Sequence, residues 1–224
     1  MLRRYLIAVL FSGAAAHGLM AGDTVDTPAL KSFYRGLAAQ NHTDLQAAEF
    51  HYIEALGHDA TLVSAAINLA IVYEKMHKDM LARKYYNEAV RVAPRSFAAR
   101  YNRGQFLQKH GELEAARSDY QVALEIKPDE ASLYINLAAM ELRLFETKLD
   151  IQLMAAAEKN LKQAERLRSK SPALYFNRAR LFELYNSPAR ARTAYREAMR
   201  YYPETSAEYQ TCQTRVQRLS MQLK

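Results

Sequence analysis

The amino-acid sequence predicts an all-α fold assembled from repeated helical hairpins, and three observations support this prediction. Ala, Leu, Glu, Lys, Gln and Arg dominate the composition, and these residues lose little conformational freedom when they enter a helix. Only 7 Gly and 6 Pro occur in 224 residues, which leaves little room for the tight turns of β-hairpins. A short sequence element also recurs every 34 residues, as is typical of a helical repeat.

The recurring element has the form Ala-x3-Tyr-x2-Ala, with Leu in place of Tyr in the fourth copy. The copies open at Ala48, Ala82, Ala116, Ala157 and Ala191. A small residue stands twelve positions before each opening alanine, or nineteen positions before it in the fourth copy. These small residues are Gly36, Ala70, Gly104, Ala138 and Ala179. We therefore expect each copy to be two antiparallel helices that cross closely at their small residues.

The spacing divides the repetitive part of the chain into five units, followed by a last helix. The units are 29–62, 63–96, 97–130, 131–171 and 172–205. The fourth unit contains seven extra residues between Leu142 and Met154, close to two helical turns, so its apolar faces stay in phase. This insertion is expected either to pack on itself as a longer hairpin or to project and bind a partner. Residues 206–224 predict a capping helix that starts with a capping box from Thr205 to Glu208.

The N-terminus, residues 1–21, has the pattern of a secretory signal peptide. Two arginines precede an apolar run at 6–11 and a stretch of small residues, and the run is shorter than the roughly 20 residues that span a bilayer. Cleavage is expected after Ala21, with Ala16 as the alternative, leaving 22–28 as a short linker. An amphipathic N-terminal helix and an uncleaved anchor are the other interpretations. We expect an exported, periplasmic protein, with secretion or inner-membrane anchoring as alternatives.

The recurring alanines, tyrosine and small residues at 34-residue spacing resemble the tetratricopeptide-repeat family. The resemblance covers 29–205 and implies a right-handed superhelix of five hairpins whose first helices line a groove for protein partners. The stretch from Tyr101 to Glu112 is also similar to type IV pilus assembly repeat proteins. The chain departs from the family pattern because no Trp stands at the fourth position and the first and fourth units lack the closing proline.

The resemblance also implies which side chains line the groove, since family members use positions 5, 9 and 13 of each unit. Carried onto this sequence, the candidate groove residues are Phe33, Leu37, Ile67, Ile71, Lys75, Tyr101, Gln105, Lys109, Ile135, Arg143, Phe176 and Arg180. They predict an apolar floor with a row of cations at Lys75, Lys109 and Arg143. Such a groove suits a protein or peptide with apolar anchors and acidic flanks. Alternatively, the position-5 residues pack on neighbouring helices or on the chain's own N-terminal segment.

The net charge of +7 conceals an asymmetry between the two halves of the chain. Residues 22–142 carry a net charge of −3, whereas residues 143–224 carry +8. A basic half favours an acidic protein or an anionic membrane surface, and export argues against a nucleic-acid partner. The arginines that would serve such a surface are Arg190, Arg192, Arg196 and Arg200.

No motif for catalysis, cofactor binding or metal binding is found. The sequence has no glycine-rich phosphate loop and no Gly-x-Ser-x-Gly element, its histidines are scattered, and Cys212 is the single cysteine. We therefore expect no enzyme activity, no cofactor and no metal. The sequence predicts an exported scaffold or adaptor that binds a protein or peptide in envelope assembly or secretion. The alternatives are a secretion chaperone or virulence effector, and a binder of anionic envelope surfaces; no pattern indicates an oligomeric state.

Overall fold

A computed structural model describes residues 27–223, and all their regular secondary structure is helical. Eleven helices and no strand occur in this range, which confirms the predicted all-α class. The chain divides after His110 into two compact units, described separately as the N-terminal and C-terminal units. The predicted signal peptide and most of the linker lie outside the described residues.

The N-terminal unit contains five helices of 13 or 14 residues. They are α1 Pro28–Asn41, α2 Leu45–His58, α3 Val63–Lys75, α4 Asp79–Val92 and α5 Phe97–Lys109. Side-chain oxygens cap several of them, as at Thr27, whose hydroxyl accepts a hydrogen bond from the Leu30 N–H at 3.2 Å. The helices α1 and α2 pair as one hairpin, and α3 and α4 as the next, so the 34-residue period corresponds to one helical pair.

The C-terminal unit contains six helices, of which α7/α8 and α9/α10 are hairpins and α11 packs against α10. They are α6 Leu113–Ile126, α7 Ala131–Lys148, α8 Ile151–Arg166, α9 Pro172–Leu184, α10 Pro188–Met199 and α11 Ala207–Gln222. The cap of α11 is Ser206 and not Thr205, because the Ser206 hydroxyl accepts the Tyr209 N–H at 3.1 Å. Cys212 and Leu219 form the buried side of α11.

The recurring tyrosine of three hairpins is buried, and each hydroxyl donates to a side chain twelve residues earlier. The pairs are Tyr52 to Gln40 at 2.8 Å, Tyr86 to Glu74 at 2.6 Å and Tyr195 to Glu183 at 2.6 Å. A buried hydroxyl needs such a partner because an unpaired polar group in the core is costly. In the fourth hairpin, Leu161 replaces the tyrosine and Leu142 replaces its acceptor. Both leucines are buried in one apolar cluster.

The fourth hairpin is lengthened unevenly by its extra residues. Helix α7 has 18 residues against 13 in α3, α5 and α9, whereas α8 has 16 against 14 in α4 and α6. Leu144, Leu153 and Met154 are buried within the C-terminal unit. At the tip, Leu149 adopts a left-handed conformation with φ of 55°, and Leu149 and Ile151 are exposed. Most of the insertion's apolar surface therefore packs against the protein, and only its tip faces solvent.

Candidate functional site

The structure places three of the predicted groove residues in the hairpin interior. Phe33, Ile67 and Ile135 expose at most 5% of their surface. The Phe33 ring lies against Tyr52, with 5.9 Å between ring centroids. These position-5 side chains therefore stabilise the hairpins, as the alternative interpretation expected, and they do not form a floor open to a ligand. In the first hairpin this side chain packs against Tyr52, and in the fourth hairpin Ile135 belongs to the buried cluster that contains Leu161.

Six predicted groove residues of the N-terminal unit are accessible. Leaving out the ion-paired Lys109, we call the other five the first-helix surface: Leu37, Ile71, Lys75, Tyr101 and Gln105. The three apolar members are half-buried, whereas Lys75 and Gln105 are exposed. The Gln105 amide donates to the Tyr101 hydroxyl at 3.2 Å, which restricts the orientation of both side chains. This surface offers apolar side chains held in place by their own helices, together with polar groups that can orient a ligand.

The predicted row of cations is not a row of free charges. The Lys109 ammonium donates to Glu74 Oε1 at 3.1 Å, and Glu74 Oε2 accepts the Tyr86 hydroxyl. The charge of Lys109 is thus compensated, and the bond ties α5 to α3. Arg143 is half-buried and belongs to the other compact unit. Within the described part of the chain, Lys75 makes no hydrogen bond or ion pair, so it is the accessible cation of the first-helix surface.

In the C-terminal unit the predicted groove residues serve internal contacts. Phe176 meets the Tyr195 ring edge-on, with 5.6 Å between centroids and 71° between planes. The Arg180 guanidinium donates to the Glu146 carboxylate of α7, which links the fifth hairpin to the fourth. These contacts fix the stacking of hairpins and leave little of either side chain for a ligand.

The C-terminal unit contains a cavity of about 430 Å³ that was not predicted from the sequence. It is lined by α9 and α10, including Tyr175, Phe182, Arg190 and Ala194. A difference between equivalent residues of two hairpins coincides with this cavity. Ala194 occupies the position that Tyr85 fills in the second hairpin, where Tyr85 stacks on Tyr73 with 5.6 Å between centroids.

The described residues contain no candidate metal site, and their cysteine is buried. Within 27–223, no cluster of three or more His, Cys, Asp or Glu side chains could hold a metal ion. Cys212 is buried, and burial raises the pKa of its thiol to about 11. The thiol is therefore protonated at neutral pH and is a weak nucleophile.

The arginines predicted to form a basic surface on α10 differ in their surroundings. Arg200 pairs with Glu197 at 2.7 Å, whereas the Arg190 guanidinium lies over the Phe182 ring at 4.0 Å. Arg192 is half-buried, and Arg196 is exposed. Between residues 27 and 223, no helix combines the length and the apolar character needed to cross a membrane.

Part of the chain matches a known family. Residues 67–131 match the family model of the tetratricopeptide repeat, which confirms the resemblance on which the groove prediction rested. The matched residues include Ile71, Lys75, Tyr101 and Gln105 of the first-helix surface. No curated protein sequence matches the chain significantly.

Solved structures share the fold over most of the chain. PilF of Pseudomonas aeruginosa is 19% identical, with 88% of this chain and 90% of PilF covered and a TM-score of 0.67. YrrB, a tetratricopeptide-repeat protein with an unusual peptide-binding site, is 14% identical over 83% of this chain and 92% of YrrB, with a TM-score of 0.64. MamA of Desulfovibrio magneticus is 13% identical over 77% of this chain and 94% of MamA, with a TM-score of 0.66. At these identities the likeness shows a common fold of helical hairpins.

Proposed function

We propose that the chain is a protein-binding scaffold without catalytic activity, and that its first-helix surface holds a peptide segment of a partner protein. The observation that carries this proposal is the combination of half-buried Ile71 and Tyr101 with Lys75, an exposed cation that has no partner among the described residues. An apolar side chain of the ligand would cover Ile71 and Tyr101, and an acidic residue would pair with Lys75. The ligand is therefore a peptide with apolar anchors and acidic flanks.

The two kinds of contact would contribute differently to binding. Covering about 100 Å² of apolar surface supplies roughly 2.5 kcal/mol before the costs of association are deducted, at about 25 cal/mol per Å². An exposed ion pair with Lys75 adds at most about 1 kcal/mol and mainly sets orientation and association rate. Binding should therefore be moderate, and it should weaken as salt concentration rises.

Photo-crosslinking would test the surface directly. A photoreactive amino acid at Gln105 should crosslink a partner in the native cell envelope, whereas the same residue at Gln46, also exposed in the N-terminal unit, should not. Lys75→Glu should reduce the crosslink, and Lys159→Glu, an equal charge change on exposed α8, should leave it intact. Equal crosslinking from both glutamine positions, or no effect of Lys75→Glu, would contradict the proposal.

We also propose that the protein is exported to the periplasm, where it serves as an adaptor in envelope assembly or secretion. The charged and apolar pattern of residues 1–21 supports export. A secretion chaperone or effector remains the second candidate, since a groove for a peptide suits a transported cargo equally well. Mass spectrometry of the protein from fractionated cells should find Gly22 at the mature N-terminus. An intact Met1 in the cytoplasmic fraction would refute export.

A further inference from the structure

We propose that the C-terminal unit carries a second binding site, in the cavity lined by α9 and α10. The cavity would take one aromatic or long aliphatic side chain of a protein partner, and Arg190 would pair with a carboxylate beside that side chain. This site goes beyond the first-helix surface, because it lies in a different compact unit and uses none of the same residues.

The cavity lies at a repeat position where the second hairpin carries a large side chain and the fifth hairpin carries a small one. In the second hairpin, Tyr73 of α3 and Tyr85 of α4 stack on each other with 26° between ring planes. The equivalent residues of the fifth hairpin are Phe182 and Ala194, so a methyl group replaces a phenol ring. The unfilled space is about 430 Å³, within the range of pockets that bind small ligands or side chains.

The walls of the cavity are aromatic and rigidly held. Phe182 is 9% exposed and presents a ring face, over which the Arg190 guanidinium lies at 4.0 Å. Tyr175 is fixed by stacking on Tyr201, with 5.5 Å between centroids and 5° between planes. An entering aromatic or aliphatic side chain could take the place of the exposed guanidinium against Phe182, because the present cation–π contact is weak at an exposed site.

The charges around the cavity favour a ligand that carries a carboxylate. Arg178 donates to Glu165 of α8, and Glu197 pairs with Arg200, so these charges are already compensated. Among the described residues, Arg190 makes no hydrogen bond or ion pair; its guanidinium lies over the Phe182 ring, and its charge helps to lower the pKa of the Glu158 carboxyl. One cation that makes no direct ion pair, beside an apolar cavity, matches one acidic residue next to one apolar anchor. A membrane surface would instead be attracted by several free cations spread over a face.

The probe is a fluorescein-labelled peptide with an Asp-Phe-Asp core between Gly and Ser residues, and the readout is fluorescence anisotropy with the full chain. We expect saturable binding with Kd below about 1 mM. A peptide with alanine in place of its phenylalanine should bind at least about tenfold more weakly, because the anchor supplies the apolar contact. Failure of the wild-type chain to bind the phenylalanine peptide would overturn the proposal.

Two variants fill the cavity in different ways. Ala194→Tyr copies Tyr85 of the second hairpin and should abolish binding while circular dichroism remains unchanged. Thr193→Phe places a ring at the exposed rim without altering the buried core, so it tests the site even if the first variant fails to fold. Folded protein of either variant that binds the peptide as tightly as the wild type would overturn the proposal.

Charge variants test the role of Arg190. Arg190→Gln should weaken binding about 3- to 10-fold and reduce its salt dependence. Arg196→Gln removes the same charge from an exposed position of α10 outside the cavity and should have no effect. Equal losses in the two variants would indicate unspecific attraction and refute the site. Displacement of the peptide by vesicles of anionic phosphatidylglycerol would assign the cavity to lipid and refute the peptide ligand.

Discussion

Replacing Gly36 with alanine should destabilise the first hairpin, although glycine-to-alanine changes within helices usually stabilise. An alanine Cβ at this position would lie 2.6 Å from Cε1 and 2.7 Å from Cδ1 of Tyr52. Carbon atoms in contact need about 3.5–4.0 Å, so the ring or α1 must move by about 1 Å. The ring cannot move freely, because Tyr52 is fully buried, packs on Phe33 and is hydrogen-bonded to Gln40 at 2.8 Å.

The expected loss follows from two opposing contributions. Overpacking a core costs about 1–3 kcal/mol, while replacing a helical glycine gains about 0.5–1 kcal/mol. We expect Gly36→Ala to lose about 1–2 kcal/mol, measured by urea denaturation and by faster hydrogen exchange in α1 and α2. The matched control is Gly57→Ala in α2, where an added Cβ meets no atom within 4 Å and stability should rise by about 0.5 kcal/mol.

A double variant tests whether the clash with the ring is the cause. Gly36→Ala combined with Tyr52→Leu reproduces the Ala138 and Leu161 of the fourth hairpin, both of which are buried there. The combined cost should be smaller than the sum of the single costs, because the smaller side chain removes the clash. Strict additivity, or a Gly36→Ala protein as stable as the wild type, would refute the reasoning.

Three further predictions concern buried polar groups. Tyr195→Phe should lose about 1 kcal/mol in urea denaturation, since it removes the donor at 2.6 Å from Glu183, and an unchanged midpoint would show that this bond is dispensable. Burial raises the pKa of Glu141 above its ordinary value of 4.5, so its contribution to stability is present below that value and is lost as pH rises through the raised pKa. Glu141→Gln should therefore be more stable relative to the wild type near about pH 7 than near about pH 4, and a pH-independent difference would contradict this. Burial raises the pKa of the Cys212 thiol to about 11, so Cys212 should resist iodoacetamide in the native protein and react after unfolding in urea. Rapid labelling of the native protein would mean that α11 opens readily.

The sequence period was sufficient to predict the helical hairpins because it reports directly which residues pack together. Tyrosines and small residues recur with the spacing of a helical pair, and the period puts Tyr52, Tyr86 and Tyr195 at one equivalent position, which is buried. The uneven lengthening of the fourth hairpin was less predictable. Seven extra residues can be divided between two helices in several ways that keep the apolar faces in phase.

The candidate site was harder to predict, because the repeat pattern does not distinguish a side chain that faces a ligand from one that faces its own hairpin. Ile67 and Ile71 are both apolar members of one helix, yet Ile67 is buried and Ile71 is partly open. The ion-pair partners of the charged side chains could not be predicted from the sequence either. The bond from Lys109 to Glu74 spans 35 residues and depends on how α5 packs on α3. The cavity beside Ala194 could have been found only by comparing equivalent positions between hairpins.

The bond between the recurring tyrosine and its acceptor also constrains how the repeats of this chain can be shuffled. Its two ends lie on different helices of one hairpin, and in the fourth hairpin both ends have become leucine. Recombination that joins one helix of the fourth hairpin to the partner helix of another hairpin would leave a tyrosine hydroxyl facing Leu142, or a glutamine or glutamate facing Leu161. Each mismatch would bury an unpaired polar group at a cost of about 1–3 kcal/mol. The fourth hairpin is therefore interchangeable only as a whole, and its single helices are not compatible with those of the hairpins that carry the tyrosine bond.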